Sequence, residues 1–426
     1  MMKRYNYPAK KEWAEIVKRP SADYSSLEKK VKKIMLNVKE KGDKSVFKYC
    51  KAFDGVKLKR LSVSQKEIDK AIESVPSELK TAILQAKKNI ELFHNSQKED
   101  VRKIETMPGV TCWRQSKGIE KIGLYIPGGT APLFSTVLML GIPAQIAGCK
   151  EIILCTPSDK KGKINPAILF AAELCGISKI YKVGGVQAIA TMTFGTETIQ
   201  KVFKIFGPGN QYVTMAKQMA QQYSVAIDMP AGPSEVLVIA DESANAEFVA
   251  SDLLSQAEHG IDSQAILITT DEKLGKQVVD AILNQIELLP RKAIAEKALK
   301  NSKLIVVKNI SEAIELSDLY APEHLIIACK NANEVAQQIS TAGSVFIGNH
   351  SPESAGDYAS GTNHTLPTNG YASMYSGVSL DSFVKKITYQ ELTKEGLGNI
   401  GQTVMTMAAA EGLDAHKNAI AIRLKK

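Results

Sequence analysis

The chain has 426 residues, which is long enough for two or more domains with a large core. Its charged fraction of 23% and hydrophobic fraction of 44% are ordinary for a soluble globular enzyme. The net charge of +9 raises the alternative of a basic nucleic-acid-binding protein. In the basic stretch 27–38, however, charged residues are interleaved with apolar residues at helical spacing, which indicates a solvated helix face. We therefore expect no nucleic acid among the partners.

Residues 1–21 form an N-terminal extension that carries charge but no apolar stretch behind it, so we expect no secretory signal. The longest apolar window, 133–148, is interrupted by polar residues and a proline and is too short to span a bilayer. It predicts a buried helix, and we expect no membrane contact. Six cysteines are scattered without a Cys-x-x-Cys pair, which favours a reduced, cytoplasmic protein.

Residues 22 to about 98 are amphipathic and predicted to be mostly helical. From residue 120 onward, short apolar runs alternate with helical patterns such as 163–174 and 274–288. This alternation is typical of parallel sheets with crossover helices. Strands are predicted at 122–126, 152–155, 180–183, 202–206, 235–240, 265–269, 304–307, 325–327 and 344–347.

The pattern predicts an α/β fold with two Rossmann-like parallel-sheet domains, a helical N-terminal region and a C-terminal helical tail. The two strand–helix units split near residues 229–234. We assign residues 22–124 and 234–377 to the first domain and residues 125–233 to the second. Residues 378–426 form the tail, which is predicted to be helical around 396–412.

Side chains that can bind a metal or exchange protons recur in the second half of the chain. Five of the six histidines lie after residue 255. Imidazoles, carboxylates and an amide are the groups expected of a metal site beside an acid–base pair. The fragments that carry them are 253–260, 322–324, 356–358 and 411–416. We therefore predict a single active site built from the C-terminal half.

Gln256 and His259 lie near the C-terminal end of a predicted helix, three residues apart and on one face. A lone helical histidine is more often a core or surface residue than a ligand, and glutamine is an uncommon zinc ligand. Asp357 and His416 strengthen the interpretation as a metal site, because such a site needs three or four protein ligands.

A glycine-containing turn, residues 207–210, lies between the predicted strand 202–206 and a helix. A turn ahead of a helix N-terminus suits an anion or a ribose-phosphate, and a plain turn is the alternative. The Gly-x-Gly-x-x-Gly fingerprint of dinucleotide-binding domains is absent, so this motif alone does not establish nucleotide binding.

The segments 227–236 and 255–260 resemble the signature region of the histidinol dehydrogenase family. The resemblance continues through 123–129, 184–188, 207–210, 321–325, 354–361, 363–368 and 416–419. It covers the chain from about residue 25 to the end. That family consists of zinc-containing, NAD-dependent enzymes of histidine biosynthesis. The resemblance therefore implies oxidation of L-histidinol to L-histidine through L-histidinal, with two sequential hydride transfers to NAD.

The resemblance also implies a role for each matching residue. His324 is expected to be the acid–base catalyst of both oxidations, and Glu323 is expected to activate water in the second. In an extended strand these two side chains would point to opposite faces, so the chain must bend for both to face one substrate. The domain 125–233 is expected to carry the NAD contacts, which are Tyr125, Gln187 and Asn210.

One zinc ion per subunit is implied, with Gln256, His259, Asp357 and His416 as its ligands. The residues implied to contact the substrate are Ser234, Gln256, His259, His324, Asp357, Glu411 and His416, with His364 as a further candidate. The family forms homodimers with intertwined tails. The sequence leaves open whether His416 comes from the partner chain.

Two other functions are weighed against this one. A zinc hydrolase would use Glu323 as its base and would not bind NAD, and the chain lacks the His-Glu-x-x-His motif. A nucleic-acid-binding protein would show an affinity that falls steeply with salt. A thiohemiacetal route through Cys112, Cys149 or Cys155 is disfavoured, because none has a basic neighbour that would stabilise a thiolate.

Overall fold

The computed structural model describes residues 2–19, 24–128 and 131–425. The end of the predicted N-terminal extension, residues 20 and 21, and Gly129 of the segment 123–129 lie outside these ranges. The strands among the described residues are β1 (Lys3–Asn6), β2 (Lys103–Met107), β3 (Val110–Gly118), β4 (Lys121–Tyr125), β5 (Glu151–Cys155), β6 (Lys179–Tyr181), β7 (Lys204–Phe206), β8 (Ala226–Ile227), β9 (Glu235–Ala240), β10 (Gln264–Thr269), β11 (Lys303–Val306), β12 (His324–Ala328), β13 (Ser344–Ile347) and β14 (Val384–Leu392).

The helices surround these strands and are mostly amphipathic or buried. In chain order they are α1 (Trp13–Ile16), α2 (Tyr24–Tyr49), α3 (Gln65–Ser74), α4 (Ser77–Asn95), α5 (Phe134–Ile146), α6 (Pro166–Leu174), α7 (Gly185–Phe194), α8 (Gln211–Ala220), α9 (Ala246–Ala257), α10 (Glu272–Ile286), α11 (Lys292–Leu299), α12 (Ile310–Tyr320), α13 (Ala332–Ala336), α14 (Glu353–Tyr358), α15 (Lys394–Ala410) and α16 (Asp414–Leu424). Short 3-10 helices occur at Lys10–Glu12, Gln221–Tyr223, Tyr371–Ser373 and Leu380–Phe383, and a short π-helix occurs at Cys50–Asp54.

Two all-parallel sheets form the centre of the fold. One has six strands in the order β1-β11-β10-β9-β12-β13, and the other has five in the order β6-β5-β4-β7-β8. The short linker between β8 and β9 joins them, where the sequence predicted the division. The predicted α/β class with two parallel-sheet units is confirmed.

Each parallel sheet is buried on both faces, which explains why its strands read as continuous apolar runs. In β9, Val236 and Val238 belong to one core while Leu237 and Ile239 belong to another. Successive side chains of a strand point to opposite faces, so the two cores lie on opposite sides of the six-stranded sheet. The same alternation separates the two cores of the five-stranded sheet.

The helices α2, α3 and α4 pack onto the five-stranded half. Leu27 and Val31 of α2 join one core of that sheet, and Ile68 and Ile83 of α3 and α4 join the other. The N-terminal strand β1, by contrast, pairs with β11 in the six-stranded sheet. We therefore propose that the helical region be grouped with 125–233 rather than with 234–377. Amphipathic periodicity indicates a buried face, but it does not say which surface covers that face.

A third, antiparallel sheet supports a C-terminal arm, which we define as residues 384–425. Strand β14 pairs along its whole length with β3, and β3 pairs with β2. Helix α15 contacts β14, β2 and α16, and α16 packs against α15. The tail is helical as predicted, but the sequence analysis missed β14. This strand is largely exposed and polar, so it lacks the apolar run that marked the central strands.

The predicted buried helix at 133–148 is present as α5, in which residues 135–144 are all buried. No helix within the described ranges is long and apolar enough to cross a membrane.

A buried ion pair holds the turn at 207–210. Lys217 Nζ lies 2.5 Å from Asp228 Oδ1, and both side chains are almost fully excluded from solvent. Lys217 also donates to the carbonyl oxygen of Gly207 (2.7 Å), and Gly207 N–H donates to Asp228 Oδ2 (2.8 Å). Gly207 has φ 125°, and a Cβ there would collide with the main-chain oxygen of Tyr125. The turn is therefore fixed against the end of β4.

Replacing Asp228 by Asn should lower the free energy of unfolding by about 3–5 kcal/mol, because Lys217 would be left buried without a counter-charge. Denaturant unfolding measures the loss. Glu315→Gln is the matched control, since its ion pair with Lys10 is exposed and should contribute little. Lys217→Met combined with Asp228→Asn should recover part of the loss. Equal effects of Asp228→Asn and Glu315→Gln would contradict the assignment.

Candidate active site

The predicted acid–base pair lies at the amino edge of the six-stranded sheet. His324 is the first residue of β12 and pairs in register with Val236 of β9 and Ser344 of β13. Glu323 precedes it, after a left-handed turn at Ala321 (φ 51°) that ends helix α12. Both side chains are buried. Open α/β sheets usually bind ligands at the carboxyl edge, so this position is unusual.

One residue of β9 contacts both members of the pair through its main chain. The N–H of Glu235 donates to Glu323 Oε2 (2.9 Å), and its carbonyl oxygen accepts from His324 Nδ1 (3.1 Å). A carbonyl oxygen only accepts, so Nδ1 carries the proton and Nε2 is left to exchange protons. Glu323 Oε2 and His324 Nδ1 are 3.7 Å apart, so the chain does bring both residues to one place.

Two carboxylates of helix α14 complete the surroundings of His324. Glu353 Oε1 lies 3.7 Å from Nδ1, and Asp357 Oδ1 lies 3.5 Å from Nε2. The sequence analysis predicted Asp357 and missed Glu353. The spacing of four residues places both on one face of a helix, and that signal could have found Glu353. Its side chain is buried, and its Oε2 has no hydrogen-bond partner among the described atoms.

His259, Glu353 and Asp357 form a group with ligand atoms within 4.8 Å of one another, close enough to share one metal ion. His259 follows the end of α9, where its N–H donates to the Gln256 carbonyl oxygen (3.2 Å). Desolvation lowers the pKa of its imidazole against the pull of Asp357, although the residue keeps a solvent-exposed face. A neutral imidazole is the form that binds a metal.

Gln256 is fully buried between α14 and the start of β9, next to the pair Glu323–His324. Its amide is satisfied when Nε2 donates to Glu353 Oε1 (2.7 Å) and Oε1 accepts from Glu235 N–H (2.5 Å). Turning the amide would bring its oxygen to 2.7 Å from Glu353 Oε1. Two acceptors at that distance repel each other unless a cation lies near them. Gln256 therefore lies within hydrogen-bond distance of Glu353, a member of the carboxylate–imidazole group.

Burial and mutual charge set the proton affinities of this cluster. Burial raises the pKa of Glu323 to about 8, against the pull of His324. Burial likewise raises the pKa of Glu353 to about 8, because an ionised carboxylate loses its hydration there. Burial alone would lower the pKa of His324, but Glu353, Glu323 and Asp357 together raise it well above its usual value. The pKa of each of these groups therefore depends on the charge of the others.

Glu411 and His416 do not join this cluster. Glu411 follows the last residue of α15, and His416 lies in the first turn of α16, and both are exposed on the arm. Within the described residues, the group of possible metal ligands contains neither of them. Of the four predicted zinc ligands, one chain therefore places Gln256, His259 and Asp357 near the pair of Glu323 and His324.

Ser234 and His364 lie beside the cluster. Ser234 directly precedes Glu235 and is partly exposed, and its carbonyl oxygen accepts from Gln264 N–H (3.2 Å). His364 Nδ1 lies 2.8 Å from the carbonyl oxygen of Asp357, and its Nε2 lies 2.9 Å from Thr136 Oγ1 of α5. His364 therefore links α5 of the five-stranded half to helix α14, which carries Asp357.

The three predicted NAD contacts lie at the carboxyl edge of the five-stranded sheet. Tyr125 ends β4, and its hydroxyl oxygen accepts from Gly185 N–H (3.1 Å) at the start of α7. Gln187 is buried on α7, with Nε2 3.5 Å from Asp54 and an Oε1 that has no partner among the described atoms. Asn210 caps α8, accepting from the N–H groups of Tyr212 and Val213. This edge is where α/β sheets commonly bind nucleotides.

The cysteines are placed for packing. Cys155 is fully buried, and burial raises the pKa of its thiol to about 12. Burial also raises the pKa of Cys149 to about 11. Neither thiol forms an appreciable thiolate at neutral pH, so the structure gives no support to a thiohemiacetal route through them.

The site combines the buried pair Glu323–His324 with a group of side chains that could hold a metal ion. Together with the parallel sheets, these features are typical of an α/β enzyme that uses acid–base groups. A family model described as histidinol dehydrogenase matches residues 17–424. The chain therefore belongs to the histidinol dehydrogenase family, as the sequence motifs predicted.

Individual relatives agree over the full length. The chain is 62% identical to histidinol dehydrogenase from Bacteroides thetaiotaomicron over 424 residues, covering 100% of this chain and 99% of that protein. It is 52% identical to the Haemophilus influenzae protein of the same name, covering 99% and 98%. The crystal structure of histidinol dehydrogenase from Elizabethkingia anophelis superimposes with a TM-score of 0.97 at 60% identity, covering 100% of this chain and 98% of that one.

Replacing Glu353 by Gln should lower the pKa of His324, because the carboxylate that most strongly favours the imidazolium is removed. Titration of the histidine ring carbons by NMR in metal-free protein measures the change. Glu315→Gln, at an exposed ion pair with Lys10, is the control and should leave the titration where it was. An unchanged His324 titration in Glu353→Gln would contradict the coupling.

Proposed function

We propose that this chain oxidises L-histidinol to L-histidine through L-histidinal, with two sequential hydride transfers to NAD. The observation that carries the proposal is the buried pair Glu323–His324, held at one edge of β9 and β12 beside three possible metal-ligating side chains. Family membership names the substrate, and the pair supplies the proton transfers that two oxidations need. A hydrolase would leave the nucleotide-type edge at Tyr125 without a use.

His324 is the base that removes the hydroxyl proton of the alcohol as hydride leaves its carbon. The bond from Nδ1 to the Glu235 carbonyl oxygen fixes the ring, so Nε2 is the atom that takes the proton. In the second oxidation a water molecule must add to the aldehyde before the second hydride leaves. Glu323 accepts a proton from that water, and its pKa of about 8 lets it take up and release protons near neutral pH.

Zinc fits the group formed by Gln256, His259 and Asp357, with His416 as a fourth ligand. The buried, unpartnered Oε2 of Glu353 and the closeness of the His259, Glu353 and Asp357 side chains support a cation at this place. When bound, the ion supplies a Lewis-acid template that orients the imidazole and amine of the substrate. The carboxylates that raise the pKa of His324 would be partly neutralised by a bound cation, which would favour the neutral imidazole that the base requires.

The carboxyl edge of the five-stranded sheet would hold NAD, which would supply the hydride acceptor for each oxidation. Tyr125 and Gln187 line that edge, and the free Oε1 of Gln187 is an acceptor for a donor group of the ligand. Asn210 uses its Oδ1 as a helix cap, so its Nδ2 is the atom that faces a ligand. The six unpaired cysteines support a reducing, cytoplasmic location for the reaction.

The position of the arm supports a homodimer with shared active sites. Its helices α15 and α16 expose large apolar side chains, including Met407, Leu413 and Ile422. Such surface is uncommon on a monomer and favours burial against another chain. Glu411 and His416 lie on this arm, far along the chain from the dyad. We therefore infer that the partner subunit receives these two residues at its own site.

The proposal is tested by counting NADH formed per L-histidinol at limiting substrate, before and after treatment with a chelator. Two NADH per substrate are expected, lost with the metal and restored by zinc. His259→Asn should lower both bound metal and rate. Absence of NADH from folded, metal-loaded protein would reject the proposed activity, and unchanged metal content in His259→Asn would remove that residue from the ligand set.

Substitutions of Glu323 and His324 should have different effects on the two oxidations when each oxidation is measured individually. His324→Ala should reduce both oxidations by about 10²–10⁴-fold, the usual contribution of a general acid–base group. Glu323→Gln should slow the oxidation of L-histidinal more than that of L-histidinol, because only the second step needs activated water. Rapid-mixing kinetics with each substrate measure the difference. Equal losses in both steps for Glu323→Gln would contradict the division of roles.

Mixing two inactive variants tests whether the arm is exchanged. A hybrid of one His324→Ala chain and one His416→Asn chain should contain one intact site if His416 comes from the partner subunit. Activity should therefore reappear on mixing and refolding the two variants together. If each chain uses its own His416, every site in the hybrid stays defective and no activity returns.

A further inference from the structure

Arg19 makes a set of bonds that none of the proposed roles uses. Its Nε lies 2.5 Å from Glu235 Oε1, and its Nη2 donates to Glu235 Oε2 (2.8 Å). The same Nη2 donates to the carbonyl oxygens of Tyr320 (2.7 Å) and Ala321 (3.3 Å). The guanidinium also stacks on the ring of Tyr320, 3.9 Å from its centroid. One side chain thus joins the start of β9 to the end of α12.

These two attachment points flank the catalytic pair. Glu235 is the residue whose N–H bonds Glu323 and whose carbonyl oxygen bonds His324. Tyr320 and Ala321 end the helix from which the chain turns into Glu323 and His324. A displacement of either point would therefore change the distance between the pair and its main-chain partner.

The interaction is buried and directional. The Glu235 side chain is 3% exposed and that of Arg19 is 17% exposed. Burial raises the pKa of the Glu235 carboxyl, and the bond and charge of Arg19 oppose that rise. Two parallel N–H···O bonds between a guanidinium and a carboxylate fix orientation as well as charge. A lysine could supply the charge but not this fork geometry.

We propose that Arg19 is a positioning residue that sets the geometry of Glu323 and His324 through the main chain of Glu235. The inference rests on the proposed function, because turnover of L-histidinol is its readout. A misplacement of about 1 Å can cost about 100-fold in rate even when it originates away from the reacting atoms. Substrate and metal binding should be affected much less, since Arg19 contacts none of the proposed ligands of either.

The test compares Arg19→Gln and Arg19→Lys with Arg4→Gln. Arg4 of β1 also lies in the N-terminal segment and forms an exposed pair with Glu272 of α10 (3.1 Å), so it serves as the matched control. We expect kcat of Arg19→Gln to fall about 10- to 100-fold for both oxidations. KM for L-histidinol and the zinc content should change little. Arg19→Lys should be intermediate in kcat, and Arg4→Gln should match the wild type.

Chemical rescue separates positioning from general stability. Arg19 borders a cavity of about 770 Å³ together with Lys18 and Lys303, so a small ion can reach its place. Guanidinium chloride at millimolar concentration, far below denaturing levels, should raise kcat of Arg19→Ala several-fold. Sodium chloride at equal ionic strength should not, and neither salt should change Arg4→Ala. Failure of guanidinium to raise kcat in folded Arg19→Ala would overturn the proposal.

A second variant covers the case in which Arg19→Gln does not fold because Glu235 is left unpaired. Arg19→Gln combined with Glu235→Gln removes both charges and keeps the main-chain bonds of residue 235. This double variant should fold and remain slow. Full kcat in the folded double variant would overturn the positioning role. A wild-type protein that forms no NADH would reject the proposed function, whereas an active wild type with full-rate Arg19 variants would reject only the inference.

Discussion

The burial of several ionisable groups at the start of β9 and β12 is the constraint on which the rest of the site depends. Glu235, Glu323, His324 and Glu353 are each less than a tenth exposed. Charges in such surroundings must be paired or neutralised, because their hydration is lost. Main-chain groups of Glu235 provide part of this compensation. Burial also raises the pKa of Glu323 and of Glu353 to about 8, so these two carboxyls can exchange protons near neutral pH, as the proposed proton transfers require.

The two halves meet through a few specific bonds around this cluster. His364 connects α5 to helix α14 at Asp357, and the main-chain N–H of Gly232 donates to Thr368 Oγ1. The dyad lies at the amino edge of one sheet, and the proposed nucleotide edge is the carboxyl edge of the other. In the proposed reaction, hydride must cross from the substrate to this second edge. The linker of residues 229–234 keeps the two edges on one short stretch of chain.

In the proposed dimer, completion of the metal site depends on the C-terminal arm. Its strand β14 is held to the body by a full ladder with β3, whereas α16 contacts mainly α15 and buries none of its residues. A ligand carried on such an element costs conformational entropy until another surface orders it. In the proposed dimer, assembly and completion of the metal site are then the same event. Metal binding would also release protons from the cluster, because its ligands bind in their deprotonated forms.

The sequence alone determined the central strands, the α/β class and the family, and it pointed to the neighbouring residues Glu323 and His324, which the structure places together. Continuous apolar runs between helical patterns are typical of buried parallel strands, and long motifs that occur in a fixed order identify a family. Only the tertiary structure decided what the N-terminal helices cover, because an amphipathic period does not name its partner surface. It also decided that Glu353 joins Asp357 and that Arg19, more than two hundred positions before Glu235, holds the main chain behind the catalytic pair. Such contacts depend on chain crossings that bring distant residues together, and local spacing carries no record of them.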